Sequence, residues 1–150
     1  MRDIWNKSSE LRIKEWRSFR ESLDLLSFED VLKSVLNFWS FAPFVNNYFK
    51  IKDKSSIPNP WELLDENKYD DFGKILGMFY TLVLTNNHSA HKYSIQIVKF
   101  SELDESVILR IDDDYVLGYE FDKIVAFQDL PDHKVCSTFN EENLEIYKLR

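Results

Sequence analysis

The hydrophobic pattern of this 150-residue chain changes period once, near Asn86-Asn87, from helical to alternating, and that change limits the possible folds more than any other feature. Ahead of it, Leu11, Trp16, Phe19, Leu23 and Leu26 keep to one helical face, and Val31, Val35, Phe38 and Trp39 keep to another after the cap pattern Ser27-x-x-Asp30. Pro43 ends this second helix, and residues 44–56 read as polar and irregular apart from Tyr48-Phe49, a pair expected to tuck beneath the segment. The strongest local signal is IPNPWELLDENKYDDFGKILGMFYTLVL. Asn59 suits a helix cap, Pro60 its first position and Glu62 the returning hydrogen bond, which predicts a short helix carrying Trp61, Leu63 and Leu64. Asp70 and Asp71 favour the positive end of a longer helix whose buried face is Phe72, Ile75, Leu76, Phe79, Leu82 and Val83. Gly73 and Gly77 lie inside that helix at about 1 kcal/mol each relative to Ala, so close packing against another element is the expected reason for them.

Beyond Asn87 the alternation predicts strands at 93–100, 107–111 and 115–119, with 121–127 as a fourth or a continuation, and Leu144, Ile146 and Leu149 alternate near the end. Asp112-Asp113-Asp114 is placed to turn a hairpin. Runs of helices followed by runs of strands predict an α+β fold, with a helical N-terminal half packed on one face of a small antiparallel sheet, and not a βαβ arrangement. No linker or repeat divides the chain, so one domain spanning 1–150 is expected.

Composition excludes several function classes. A net charge of −7 opposes sequence-independent contact with DNA or RNA, which depends on Lys and Arg neutralising phosphates. Arg12, Lys14, Arg17 and Arg20 are interleaved with Glu10, Glu15 and Glu21, as on a solvated helix face. A single cysteine allows no internal disulfide and fits a reducing compartment. The start lacks the apolar stretch of a secretory signal, and no apolar run reaches the roughly 20 residues that span a bilayer. Twelve Phe, seven Tyr and four Trp against three Gly and four Pro predict a core of large rings with few loops.

All three histidines and the cysteine fall in two pairs, His88-x-x-His91 and His133-x-x-Cys136. Imidazole and thiolate are zinc ligands, and two pairs on two loops can build a closed four-ligand site if the loops meet at one end of the sheet. The expectation is that they do not, and that no metal or other cofactor is held. Carboxylates pair at Asp65-Glu66, Asp70-Asp71, Asp112 to Asp114 and Glu141-Glu142, as glycosidases and hard-cation sites require, but an acidic chain uses most of these at helix starts and turns. The Asp triplet lacks the later Gly and Glu of an EF-hand loop, and no phosphate loop, G-x-S-x-G, H-E-x-x-H or C-x-x-C is present.

From Trp61 to Gly118 the order of helix, His-bearing strand and Asp-bearing strand resembles transglutaminase-like and papain-like hydrolases. In those, a Cys at the start of a central helix attacks, a strand His acts as base and a following carboxylate or amide orients it. The resemblance implies His91 as base and Asp112 or Asp113 as orienting group. Tyr69, Asp70 and Asp71 stand where the thiol belongs, which implies an inactive relative used for binding, with no catalytic residues. The small acidic, aromatic-rich chain, with the residue usage of an AT-rich genome, also resembles the accessory and structural proteins of tailed bacteriophages. That second resemblance implies a non-enzymatic interaction or assembly protein in the host cytoplasm or the virion, taking a protein partner or a second copy of itself, with no nucleic acid or membrane contact. The alternatives are a degenerate thiol-hydrolase-like or metal-binding domain, and an acidic inhibitor imitating nucleic acid.

Overall fold

The computed structural model describes residues 3–46, 48–49, 56–88, 90–120 and 122–149, and its architecture is the α+β one that the change of period predicts. Among the described residues, helices α1 (Ser9–Ser22), α2 (Phe28–Ser40), α3 (Pro60–Glu66) and α4 (Asp71–Val83) precede strands β1 (Tyr93–Ser101), β2 (Asp104–Ile111), β3 (Tyr115–Leu117), β4 (Val125–Ala126) and β5 (Lys134–Asn140). None of the described helices is long and apolar enough to cross a membrane.

Side chains that satisfy orphan N–H groups fix the helix starts. At α3, Asn59 Oδ1 accepts from the Glu62 N–H and Glu62 Oε1 accepts from the Asn59 N–H, both at 2.9 Å. Ser27 caps α2 by accepting from Asp30 N, and Asp70 caps α4 by accepting from Gly73 N at 2.8 Å. Helix α4 is the axis of the core. Thr81 Oγ1 accepts from the indole N–H of Trp16 on α1 (2.9 Å) and of Trp39 on α2 (3.0 Å), and donates to Gly77 O at 2.7 Å. The two glycines are close-packing positions: a Cβ on Gly77 would lie 2.5 Å from the Trp39 ring, and one on Gly73 would lie 2.6 Å from Phe49.

The helical faces depart from the periodic reading in three places. Leu11 is 47% exposed and Arg12 is buried instead, because the Arg12 guanidinium donates to Leu64 O, Asp65 O and Lys7 O and so satisfies carbonyls at the end of α3. Helix α1 stops at Ser22 and a 3-10 turn, Leu23–Leu25, carries Leu26 toward the surface. Trp61 is only half-buried, since α3 is short and buries Pro60, Leu63 and Leu64.

The sheet order is β4-β3-β2-β1-β5, antiparallel throughout. Tyr93 pairs with Ile111 and Leu109 with Leu117, so the Asp112–Asp114 turn closes the β2–β3 hairpin as predicted. Ile95, Leu109, Ile111 and Leu117 join the core under α4. Val98, Ile108 and Val116 form a second small core on the other face, beneath Phe100, Tyr119, Phe127 and Leu130. Three strand assignments change. Of 121–127, only Val125–Ala126 is strand, Phe127–Asp129 is a 3-10 turn, and Phe121 lies outside the described residues. The alternation at Leu144, Ile146 and Leu149 belongs to turns and a 3-10 helix, Ile146–Leu149. Strand β5 was not expected, because an edge strand exposed on most of its length carries no hydrophobic alternation. In the segment after Pro43, Phe49 packs at 6.1 Å from Phe72, while 47 and 50–55 lie outside the described residues.

Candidate functional site

The two ligand pairs lie at opposite ends of the sheet. His88 ends the 3-10 turn Asn86–His88, and His91 precedes the first residue of β1. His133 and Cys136 enter β5, which runs antiparallel to β1 with Lys134 opposite Lys99. Six residues of β1 therefore separate the two ends, about 20 Å at 3.3 Å per residue, where a shared zinc would need every ligand atom within about 2.3 Å. His133 instead donates toward Pro131 O at 2.9 Å and packs edge-on against Phe100 and Phe127. Cys136 is exposed. Among the described residues, no group of three His, Cys, Asp or Glu is placed to hold a metal.

The base-and-carboxylate pair implied by the hydrolase resemblance does come together. His91 Nδ1 lies 2.8 Å from Asp112 Oδ2, and Asp112 Oδ1 accepts from the Lys92 N–H at 2.7 Å. The left-handed backbone of Asp112 (φ 51°) and the bond from its own N–H to Lys92 O set this geometry. Burial pushes the Asp112 carboxyl up, but the Lys92 N–H, the His91 hydrogen bond and the nearby positive charges outweigh it and hold the group below the usual carboxylate range. Asp113 pairs with Arg110 instead, at 2.6 Å. The His91 ring stacks on Phe28 with centroids 3.8 Å apart and planes at 12°. Phe28 opens α2, so the helix start facing His91 belongs to α2 and offers no thiol.

The other helix start, Tyr69 to Asp71, is at the far end of α4, about 20 Å away along 13 residues. There it borders a cleft of about 530 Å³ between α4, the end of α2, the first residues of β2 and the chain leaving β3. Phe44, Phe49, Asp71, Lys74, Glu105 and Tyr119 are among its lining residues, and no histidine or cysteine is. Asp70 is buried and fully used: Oδ1 caps α4 and Oδ2 accepts from Phe49 N at 2.9 Å. Tyr69 lies beneath it, its hydroxyl pushed up by burial and without a hydrogen-bond partner among the described residues. Lys74 reaches across the cleft, donating from Nζ to Ser40 O at 3.2 Å, with the Phe44 ring 6.0 Å away. Burial pulls its ammonium below the ordinary lysine range, against the opposing pull of Asp71. The sequence reading did not single out Lys74. Its signal was available: it is the only charged residue after Asp71 in an otherwise apolar helix.

No family model matches this chain, and no curated protein sequence matches it. Its fold is similar to that of calcium-bound LapG from Legionella pneumophila, with a TM-score of 0.70 over 91% of this chain and 78% of that one at 16% identity. A second Legionella pneumophila LapG structure matches with a TM-score of 0.70 over 89% and 75% at 18% identity. LapG is a transglutaminase-like cysteine protease, so the architectural resemblance read from 61–118 holds at the level of the fold. The expectation of a non-enzymatic chain is corrected by this likeness, because the fold is one on which protease chemistry is built. The phage and virion resemblance gains no support from it.

Proposed function

We propose that this chain is a thiol-hydrolase-like domain, degenerate at the position of the thiol, that takes a peptide-like segment into the cleft at the start of α4. The observation that carries the reading is the placement of that cleft. It opens at the first turn of the helix packed on the sheet, where the hydrolase layout puts its nucleophile, and Asp70 and Asp71 stand there. Accessible rings such as Phe44 beside one ammonium and three carboxylates, Asp70, Asp71 and Glu105, suit an extended backbone with mixed side chains. The only thiol, Cys136, lies on β5 and does not line the cleft. Adding a tryptic digest of casein and following backbone amide resonances tests this. Shifts are expected at Gly73, Lys74 and Ser106, unchanged by Cys136→Ser. Shifts confined to the surroundings of His91, or peptide cleavage lost with Cys136→Ser, would refute it.

A second reading rests on the His91–Asp112 pair. Asp112 fixes the imidazole through Nδ1 and leaves Nε2 as the proton-transfer atom, which is the arrangement of a general base. Ester hydrolysis abolished by His91→Gln but untouched by Lys74→Arg would favour that end of the molecule.

A further inference from the structure

We propose that the segment taken into the α4 cleft carries an arginine, its guanidinium lying between Asp71 on the helical wall and Glu105 on the strand wall with the Phe44 ring beside it. This deepens the cleft reading above by naming the chemistry of its ligand, and it rests on that reading.

Three carboxylates and one ammonium line the cleft, so it is two charges negative. Asp70 is not open to a ligand, because its two oxygens already accept from Gly73 N and Phe49 N. Lys74 donates to Ser40 O at the end of α2. Asp71 and Glu105 are different: both are exposed, and neither carboxylate makes a hydrogen bond or an ion pair among the described residues, although the charge of Asp71 favours the Lys74 ammonium. Lys99 stands opposite Glu105 in the β1–β2 ladder but does not line the cleft. Two carboxylates on facing walls attract a cation into the space between them, and the net charge of −7 steers cations toward the molecule as a whole.

The surroundings select which cation. A bare calcium ion takes about six to eight oxygen ligands, and among the described residues no three His, Cys, Asp or Glu converge to begin such a cage. An organic cation needs no cage. The cleft offers it rings instead, Phe44 at 54% exposure and half-buried Tyr119. A guanidinium is planar, weakly hydrated, stacks on aromatic faces and presents a fixed fork of donors to carboxylates, whereas an ammonium is a compact, strongly hydrated point charge. Arginine therefore answers to both the carboxylates and the rings, where lysine answers mainly to the first. Phe41 and Val45, 47% and 37% exposed on the same stretch of chain as Phe44, give apolar residues flanking the arginine a surface to lie on.

Three blocked pentapeptides test this, alike except at the centre: alanine-phenylalanine-X-phenylalanine-alanine, with arginine, citrulline or glutamate as X. Citrulline keeps the planar shape and loses the charge. Each is titrated into the full-length chain while the amide resonances of Gly73, Ser106 and Gly118 are followed. The arginine peptide is expected to half-saturate at a concentration about fivefold below the citrulline peptide, the worth of one partly exposed ion pair, and the glutamate peptide above both. The gap should close as salt rises from about 0.01 M to about 1 M, where the screening length falls from about 30 Å to about 3 Å. Glu105→Gln should narrow it as well, with the citrulline peptide unaffected. Equal half-saturation by the arginine and citrulline peptides, or a gap unchanged in Glu105→Gln, overturns the proposal. The outcomes also separate it from the reading beneath it. Three peptides that shift the cleft amides alike leave the peptide cleft standing and remove the arginine preference. Acetylarginine amide shifting those resonances while no pentapeptide does so keeps the guanidinium site and removes the extended segment. Silence from all four compounds removes both.

Discussion

Gly77→Ala pits helix propensity against packing, and the structure decides which wins. Alanine in a helix interior is better than glycine by about 1 kcal/mol. The new methyl, however, would stand 2.5 Å from two atoms of the Trp39 ring and 2.6 Å from a third, where carbon atoms rest at about 3.5–4.0 Å. The ring or the helix must therefore move by roughly 1 Å. Trp39 has little room to do so: it is almost wholly buried, its indole N–H is bound to Thr81, and it packs against Trp5, Phe38 and Tyr69 at ring separations of 5.2–5.6 Å. Overpacking of this kind costs about 1–3 kcal/mol, and the upper end applies to a ring held on several sides. Subtracting the propensity gain leaves a net loss of about 1–2 kcal/mol. Urea unfolding followed by tryptophan fluorescence measures it directly. Gly73→Ala is the internal contrast, because its methyl meets the outer edge of half-buried Phe49, which is able to swing away. It should cost less than Gly77→Ala. A Gly77→Ala protein as stable as the parent, or a reversed order for the two variants, would show that the α2–α4 contact is not as tight as described.

Thr81→Val keeps the shape of the side chain but leaves the buried indole N–H groups of Trp16 and Trp39 without their acceptor, and at about 1–3 kcal/mol per orphaned donor it should destabilise by roughly 2–6 kcal/mol in the same urea experiment. Phe79→Ala, at a fully buried position on α4, should cost about 3–5 kcal/mol; a loss below about 1 kcal/mol would mean that the helix face is misassigned. Asp112 has a folded pKa below its unfolded one, so its stabilising contribution is present above about pH 4 and fades as pH falls through the lower folded value. The stability difference between parent and Asp112→Asn should accordingly shrink between about pH 5 and pH 2, and a difference that stays constant over that range contradicts the assigned His91 and Lys92 contacts.

What the sequence revealed was local. The Asn59, Pro60 and Glu62 pattern acts within four residues, and the capping bonds form as read. The Asp112 turn is equally local, and its side chain meets His91 because β1 and β2 are neighbours in a hairpin. The failures that bear on the site are non-local. His133 and Cys136 looked able to join His88 and His91 because both pairs flank strands, but the direction of β5 carries them to the other end of β1. The hydrolase layout assumed that the start of α4 and His91 share one end of the molecule, whereas α4 runs between them. Arg12 interrupts an apolar face because its partners are carbonyls 52 and 53 residues away, and no short-range pattern contains that information.

The shared hydroxyl of Thr81 gives the cleft one wall whose helices are tied together. Trp16 and Trp39 are tied to the same atom, so α1, α2 and α4 travel as a unit, and Asp71 and Lys74 travel with them. The remaining walls are Glu105 to Val107 with Gly118-Tyr119 past the three-residue β3, and Phe44, Asn46 and Phe49 on the chain leaving α2. At Gly118 the strand side comes right against the helical one, because its φ of 95° suits glycine and a Cβ would strike Ile75 on α4. The helical wall would then present the same chemistry, Asp71 and Lys74, to every ligand that the other walls admit.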